Sequence, residues 1–173
     1  MNPTPRAREL DEADRLAPFR ARFVLPEGVV YLDGNSLGAL PRETMPAMKR
    51  AICEEWGEGL IRSWNSAGWF EMAQRIGSKI APLIGAAAHE VIACDSTSVN
   101  LFKLIAAALD MRPGRTVVLS EPGNFPTDPY MVAGLERQGL AERRLAPREE
   151  LAAALDENVA LLMLTHVHYK TGA

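Results

Sequence analysis

Two short polar segments of this chain carry residue types that could bind an anionic, aromatic molecule. The first is the hydroxyl cluster Ser96, Thr97 and Ser98, which follows a short apolar run. The second contains the ring of Phe125 and the carboxylate of Asp128, and it follows a later apolar run. Hydroxyl and N–H groups at the start of a helix suit a phosphate, because the helix dipole places partial positive charge there. An aromatic ring and a carboxylate suit a flat heteroaromatic ring with a protonated nitrogen.

Each segment also has a purely structural interpretation. Ser96 or Thr97 could simply cap the helix that follows, which is a common role of these residue types. Asp128 falls in the first turn of the next predicted helix, where the dipole favours a carboxylate in any case. Taken separately the segments favour capping, whereas taken together they favour a cofactor.

The second half of the chain predicts the scaffold that would bring these segments together. Apolar runs predict strands over 91–94, 116–120, 142–145 and 159–165, and the intervening periodicity predicts helices over 98–111, 126–138 and 147–155. This alternation is typical of βαβ units and of a doubly wound, mainly parallel sheet. Ligands of such α/β domains lie beyond the carboxyl ends of the strands, which is where both polar segments would emerge.

The first half of the chain predicts a mostly helical segment. Helical periodicity covers 6–23, 41–56 and 69–84, with a short strand over 29–32 and a turn-rich loop over 33–38. We therefore expect a helical N-terminal segment over 1–85 and an α/β domain over 86–173. The α/β domain is expected to be incomplete, because a parallel sheet normally continues with a helix after a strand such as 159–165.

Composition bears on the partners and the location of the protein. With 47% hydrophobic residues, 24% charged residues and a net charge of -3, the chain offers no field to attract nucleic acid. No apolar run approaches the length of a membrane span, and no leader is apparent, so we expect a cytoplasmic protein. Cys53 and Cys94 form no disulfide framework and are expected to be buried free thiols. His166 and His168 are too few ligands for a metal site, so a hydrogen-bonding role at the end of a strand is expected for them.

Four separated motifs, in the same order, resemble the kynureninase family. They lie at 31–38, 95–101, 124–128 and 164–172. That family belongs to the aminotransferase class V enzymes of fold type I, which use pyridoxal 5'-phosphate (PLP). The resemblance implies a homodimer that hydrolyses L-kynurenine, or 3-hydroxykynurenine, to anthranilate, or 3-hydroxyanthranilate, and L-alanine. Such a reaction belongs to tryptophan catabolism and NAD biosynthesis.

The resemblance also implies residue roles at the cofactor. Thr97 and Ser98 would contact its phosphate, and Phe125 would stack on the pyridine ring. Asp128 would lie near the pyridine nitrogen and keep it protonated, which makes PLP a better electron sink. The loop implied to bind the cofactor comprises Phe125, Pro126, Thr127 and Asp128.

On the substrate side, the resemblance points to Asn35, Ser36 and Trp64. An aromatic side chain such as Trp64 would suit the aniline ring of the substrate. The alternative is that Asn35 and Ser36 only form a turn and that Trp64 is an ordinary, partly buried aromatic residue.

The chain departs from the family in one essential residue. The family's lysine that forms the Schiff base with PLP lies beyond the last motif, and this chain contains only Lys49, Lys79, Lys103 and Lys170. Lys103 is expected to point away from the first turn of its helix, and none of the four is a substitute. We therefore expect no catalytic residue within these 173 residues, and a fragment that is inactive alone. The alternatives are a non-catalytic module that binds PLP or phosphate, and another class V enzyme such as a desulfurase.

Overall fold

The computed structural model describes residues 4–173, which form two compact units. The first unit ends at Gly85, and the second spans Ala86–Ala173. The first unit is mainly helical, whereas the second contains a parallel sheet with helices. The chain is thus an α/β protein, as its periodicity predicts.

The first unit consists of short helices and one small strand pair. Its α-helices are α1 (Pro5–Ala13), α2 (Thr44–Arg50), α3 (Ser63–Ser66) and α4 (Met72–Ile80), and its strands are β1 (Phe23–Val24) and β2 (Leu40–Pro41). Short 3₁₀ helices occupy Ala17–Arg22, Leu60–Arg62 and Ala81–Leu83, and α2 continues as a π-helical segment over Ala51–Trp56. The predicted helix over 6–23 is therefore divided into α1 and a 3₁₀ helix.

The strand predicted over 29–32 does not form. Val30 and Leu32 are 83% and 87% exposed, and the antiparallel pair of this unit is instead β1 with β2. The hydroxyl of Tyr31 donates to the carbonyl of Leu37 at 2.6 Å and closes the turn-rich loop. A short apolar run becomes a strand only where another strand pairs with it, and none pairs with this one among residues 4–173.

The second unit is built on a three-stranded parallel sheet. Its elements are α5 (Thr97–Asp110), β3 (Val117–Ser120), α6 (Thr127–Arg137), β4 (Glu142–Leu145) and β5 (Val159–Met163), with 3₁₀ turns at Ala88–Glu90 and Arg148–Glu150. The strand order is β4-β3-β5, so β3 is central. Val117 pairs with Glu142 on one side and with Val159 on the other. Residues 91–94 form no strand, and the helix predicted over 147–155 is reduced to a 3₁₀ turn and further turns.

Both faces of the sheet are covered by apolar side chains. On one face the buried cluster consists of Ile105, Val118, Val132, Leu135 and Ala141. On the other face it consists of Val117, Leu119, Ala146, Leu151 and Val159. Successive residues of a strand point to opposite faces, and all four residues of β3 are buried. Helices α5 and α6 therefore cover one face, and the segment after β4 covers the other.

The cysteine prediction was wrong. Cys53 and Cys94 are both exposed free thiols. Cys53 lies in the π-helical segment, and Cys94 lies in the unpaired stretch before α5. Neither position is covered by packing, which explains the exposure. Separately, no helix in the described part of the chain combines the length and apolar character needed to cross a membrane.

The burial of β3 predicts a large and specific effect of truncating one side chain. Leu119 is 0% exposed, so Leu119→Ala should lower the free energy of unfolding by about 2–5 kcal/mol through lost burial and a residual cavity. The matched control is Leu104→Ala, because Leu104 lies on α5 and is 66% exposed. Urea denaturation of both variants measures the difference. Equal losses of stability would contradict the central position of β3.

Candidate cofactor site

The carboxyl edge of the sheet brings several polar segments of the second unit together. The strands are parallel, so the segments that follow β3 and β5 emerge at the same edge. Helix α5 packs against α6 and β5 and joins the amino end of β3 through a short turn. The start of α5 therefore lies toward the carboxyl edge, as in other open α/β sheets.

The start of α5 has unused hydrogen-bond donors. Ser96 is the N-cap residue, and its hydroxyl accepts a hydrogen bond from the Val99 amide at 3.4 Å. The capping interpretation therefore holds for Ser96. Thr97 is exposed and Ser98 is half-buried, and within residues 4–173 neither their amides nor their hydroxyls have a hydrogen-bond partner. These donors lie at the positive end of the helix dipole, where a phosphate would be stabilised.

Lys103 lies closer to this helix start than expected. Its ammonium forms a charged hydrogen bond with the carboxylate of Asp95, so the prediction that Lys103 points away was wrong. Asp95 adopts a positive φ of 48° in the turn before α5. The hydrogen bond from Lys103 lowers the pKa of Asp95, and the same bond raises the pKa of Lys103. A lysine held protonated is a poor nucleophile, so Lys103 remains unsuited to replace the missing lysine.

Phe125 lies in the loop between β3 and α6. Its ring is 48% exposed and makes an edge contact with Tyr169, with the ring centroids 5.2 Å apart and the planes at 71°. Tyr169 is itself stacked on His168 at 5.4 Å. Tyr169, which is itself backed by His168, thus contacts Phe125 from the segment after β5, and about half of the Phe125 surface stays exposed, where a flat ligand could stack.

Asp128 lies in the first turn of α6 and is half-buried. Burial raises the pKa of Asp128, and a hydrogen bond from the Thr127 hydroxyl, at 3.5 Å, partly offsets this effect. No cationic side chain contacts Asp128 within the described part of the chain. A protonated ring nitrogen beside Asp128 would supply the missing positive charge and stabilise the carboxylate.

This set of donors and acceptors fits PLP. The helix start offers hydroxyl and amide donors to a phosphate, Phe125 offers an exposed aromatic surface, and Asp128 offers a carboxylate that lacks a cation. Pro126 and Thr127 lie between the two ring-side residues in the same loop. The individual contacts of all six residues with a cofactor remain predictions.

The residues predicted for the substrate belong to the first unit. The Ser36 hydroxyl donates to the Asp33 carboxylate at 2.8 Å, in the loop that also contains Asn35. Trp64 is 49% exposed and makes an edge contact with Trp69 at 6.4 Å. These contacts agree with the turn and with an ordinary aromatic residue, and the substrate roles remain predictions.

A group of polar residues joins the two loops at the sheet edge, and of these the sequence indicated a hydrogen-bonding role only for His168. Asn124 is buried and contacts Ser120 and Thr165, and His168 contacts the carbonyl of Gly123. The signal that could have indicated these contacts is a set of polar residues at or shortly after the ends of two apolar runs, Ser120 and Asn124 in one case and Thr165 in the other. No cluster of three metal-binding side chains is present in the part of the chain that the structure describes.

The second unit is a partial α/β domain of the PLP fold type I class. It combines a parallel sheet, free hydroxyl and amide donors of Thr97 and Ser98 at the start of α5, and a loop with an aromatic ring and a carboxylate. No family profile matches the chain. Among known proteins, it is 52% identical over 170 residues to a kynureninase of Pseudomonas fluorescens, across 94% of this chain and 41% of that protein. It is also 50% identical over 179 aligned positions to kynureninases of Burkholderia mallei and Burkholderia pseudomallei, across 99% of this chain and 43% of each relative.

The chain is thus similar over nearly its whole length to the N-terminal part of kynureninases. It spans about two-fifths of the length of these curated relatives.

The environment of Asp128 leads to a prediction about its titration. The variant Thr127→Val should raise the pKa of Asp128 further, because the hydrogen bond that lowers it is lost while burial is retained. The variant Thr127→Ser keeps the hydroxyl and should leave the titration close to that of the original chain. Carbon-detected NMR of the Asp128 carboxyl group across a pH series measures both. An unchanged pKa in the valine variant would show that the hydroxyl has no influence on the carboxylate.

Proposed function

We propose that the protein to which this chain belongs is a PLP-dependent hydrolase of carbon–carbon bonds. Its substrate would be L-kynurenine or 3-hydroxykynurenine, and its products anthranilate or 3-hydroxyanthranilate together with L-alanine. The observation that carries the proposal is the identity of about half of all residues with kynureninases across 94–99% of the chain. The fit of the carboxyl sheet edge to PLP supports it independently.

In this proposal the chain binds and orients the cofactor. Bound PLP would act as an electron sink for the carbanions of the reaction. Thr97 and Ser98 would hold the phosphate with hydroxyl and amide hydrogen bonds at the start of α5. Phe125 would stack on the pyridine ring, and Pro126 and Thr127 would complete the loop around it.

Asp128 would hold a proton on the pyridine nitrogen. Burial disfavours the ionised carboxylate, and a cationic ring nitrogen favours it. The two charges would therefore stabilise each other, and the pKa of Asp128 should fall when the cofactor binds. A half-buried carboxylate suits this role because low polarity strengthens its attraction to the cation.

Residues of the first unit would contact the substrate. Asn35 and Ser36 would offer amide and hydroxyl groups, and the half-exposed ring of Trp64 would contact the aniline ring.

We further propose that the enzyme is a cytoplasmic homodimer, which acts in tryptophan catabolism and supplies NAD biosynthesis.

The chain offers no lysine for the chemical step. Lys103 is paired with Asp95, and the ammonium of Lys170 lies 5.4 Å from the centroid of the Tyr169 ring. Lys49 and Lys79 lie on exposed helix surfaces of the first unit. We therefore propose that these 173 residues bind PLP and do not catalyse the reaction alone.

The binding proposal predicts a selective effect of one hydroxyl. The variant Thr97→Val should weaken PLP binding about tenfold or more, because a hydrogen bond to a charged phosphate is lost. It should leave the binding of pyridoxal, which lacks the phosphate, unchanged. The matched control is Thr116→Val, because Thr116 is exposed at the opposite end of β3. Equilibrium dialysis with both ligands measures the affinities, and equal weakening of both would contradict the phosphate role.

The absence of a suitable lysine predicts an inactive chain. Incubation of the 173-residue chain with PLP and L-kynurenine should give no anthranilate at enzymatic rates. After borohydride treatment, mass spectrometry should find no stoichiometric link between PLP and one particular lysine, but only low and unselective labelling of exposed lysines such as Lys49 and Lys79. A lysine adduct together with anthranilate would show that one of these residues performs the role after all.

A further inference from the structure

A buried asparagine connects the carboxyl ends of β3 and β5 in the second unit. Asn124 is 8% exposed, and its amide nitrogen donates to the Ser120 hydroxyl at 2.6 Å. Its amide oxygen accepts from the Thr165 hydroxyl at 2.6 Å. The Ser120 hydroxyl in turn donates to the Met163 carbonyl at 2.7 Å. These bonds join β3, the loop after it and the segment after β5.

The hydrogen bonds run in one direction, which fixes the orientation of the amide. A hydroxyl has a single hydrogen, and Ser120 uses it on the Met163 carbonyl. Ser120 must therefore accept from the Asn124 nitrogen, and the amide oxygen is left to accept from Thr165. A side chain that cannot both donate and accept would interrupt this chain of hydrogen bonds at position 124.

A second connection lies one residue earlier in the same loop. The Nδ1 atom of His168 accepts from the amides of Lys170 and Thr171, both at 3.3 Å, so the ring hydrogen is on Nε2. The Nε2–H group of His168 donates to the Gly123 carbonyl at 3.1 Å. Gly123 has a φ of 89°, a conformation that favours glycine.

These two connections come directly before the ring-side residues of the candidate site. Phe125 follows Asn124, and its ring contacts Tyr169, the neighbour of His168. The Asp128 amide donates to the Phe125 carbonyl at 2.9 Å, so the first turn of α6 is attached to the same loop. The direction of the Phe125 ring and of the Asp128 carboxylate thus depends on where Asn124 is held.

We propose that Asn124 is a positioning residue, which through Ser120 and Thr165 holds the loop so that Phe125 and Asp128 face the cofactor ring. This inference rests on the proposed function for the identity of the ligand. It goes beyond that function because Asn124 acts on the loop and does not need to touch the ligand. The loop geometry itself can be measured without any ligand.

The test uses the full 173-residue chain and four variants. Asn124→Ala removes the amide, and Thr165→Val removes one hydroxyl with little change of shape. Thr165→Ser restores that hydroxyl and serves as the conservative rescue. Asn158→Ala is the matched control, because Asn158 is exposed in the turn before β5 and its side chain has no hydrogen-bond partner within residues 4–173.

The first measurement is made without ligand. Release of the loop should hydrate the Asp128 carboxylate, so its pKa should fall toward the ordinary value in Asn124→Ala and Thr165→Val. The titration should be unchanged in Thr165→Ser and in the control. Urea denaturation of the same samples reports stability separately. A lower unfolding midpoint with an unchanged Asp128 titration would overturn the positioning role and leave only a structural one.

The second measurement adds PLP. The circular dichroism band that a chiral site induces in PLP should be lost in Thr165→Val and restored in Thr165→Ser, with affinity about tenfold weaker in the valine variant. Should Asn124→Ala fail to fold, the Thr165 pair still decides the question. If the original chain binds no PLP, the proposed function fails, and the Asp128 titration then decides whether Asn124 orients the loop.

Discussion

The second unit depends on the burial of β3 between two parallel neighbours. All four residues of this strand are buried, and its backbone pairs with β4 on one side and β5 on the other. A strand buried on both faces needs covering on both, which α5 and α6 provide on one side and the segment after β4 on the other. The same pairing fixes the edge at which the loops emerge. The candidate site is therefore a consequence of strand order, because β3 and β5 place Ser120 and Thr165 within reach of Asn124.

Two carboxylates of this unit have opposite electrostatic environments. Asp95 is exposed and paired with Lys103, and this hydrogen bond lowers its pKa. Asp128 is half-buried, has no cation among its partners in residues 4–173, and burial raises its pKa. Divergent environments of this kind separate structural carboxylates from those that act on a ligand. The negative charge of Asp95 is already balanced by Lys103 in the turn before α5. Asp128 is instead the carboxylate that an incoming positive charge would stabilise.

Local patterns predicted the elements that depend on local contacts. The bounds of α5 and α6 agree with the periodicity to within one residue at each end, and β4 agrees at both. The strands expected over 29–32 and 91–94 failed because a strand requires a neighbour, which a local pattern does not report. At the site, Thr97, Ser98, Phe125 and Asp128 could be selected by residue type and position. Asn124 lies in the motif at 124–128, but its hydrogen bond with Thr165 could not be predicted from local patterns, because the two residues are 41 positions apart and only the sheet brings them together.

Under the proposed function, the raised pKa of Asp128 would link folding to cofactor binding. A carboxyl group whose pKa is higher in the folded chain binds more protons there, so its contribution to stability is complete below the ordinary pKa. That contribution is lost as the pH rises from the ordinary value through the raised value of the folded state. A cationic ring nitrogen beside Asp128 would lower the folded-state pKa and oppose this loss. Under the proposed function, a bound cofactor would thus offset the cost of burying the ionised Asp128 carboxylate at neutral pH. Asn124 would influence this cost by holding Asp128 in its half-buried position.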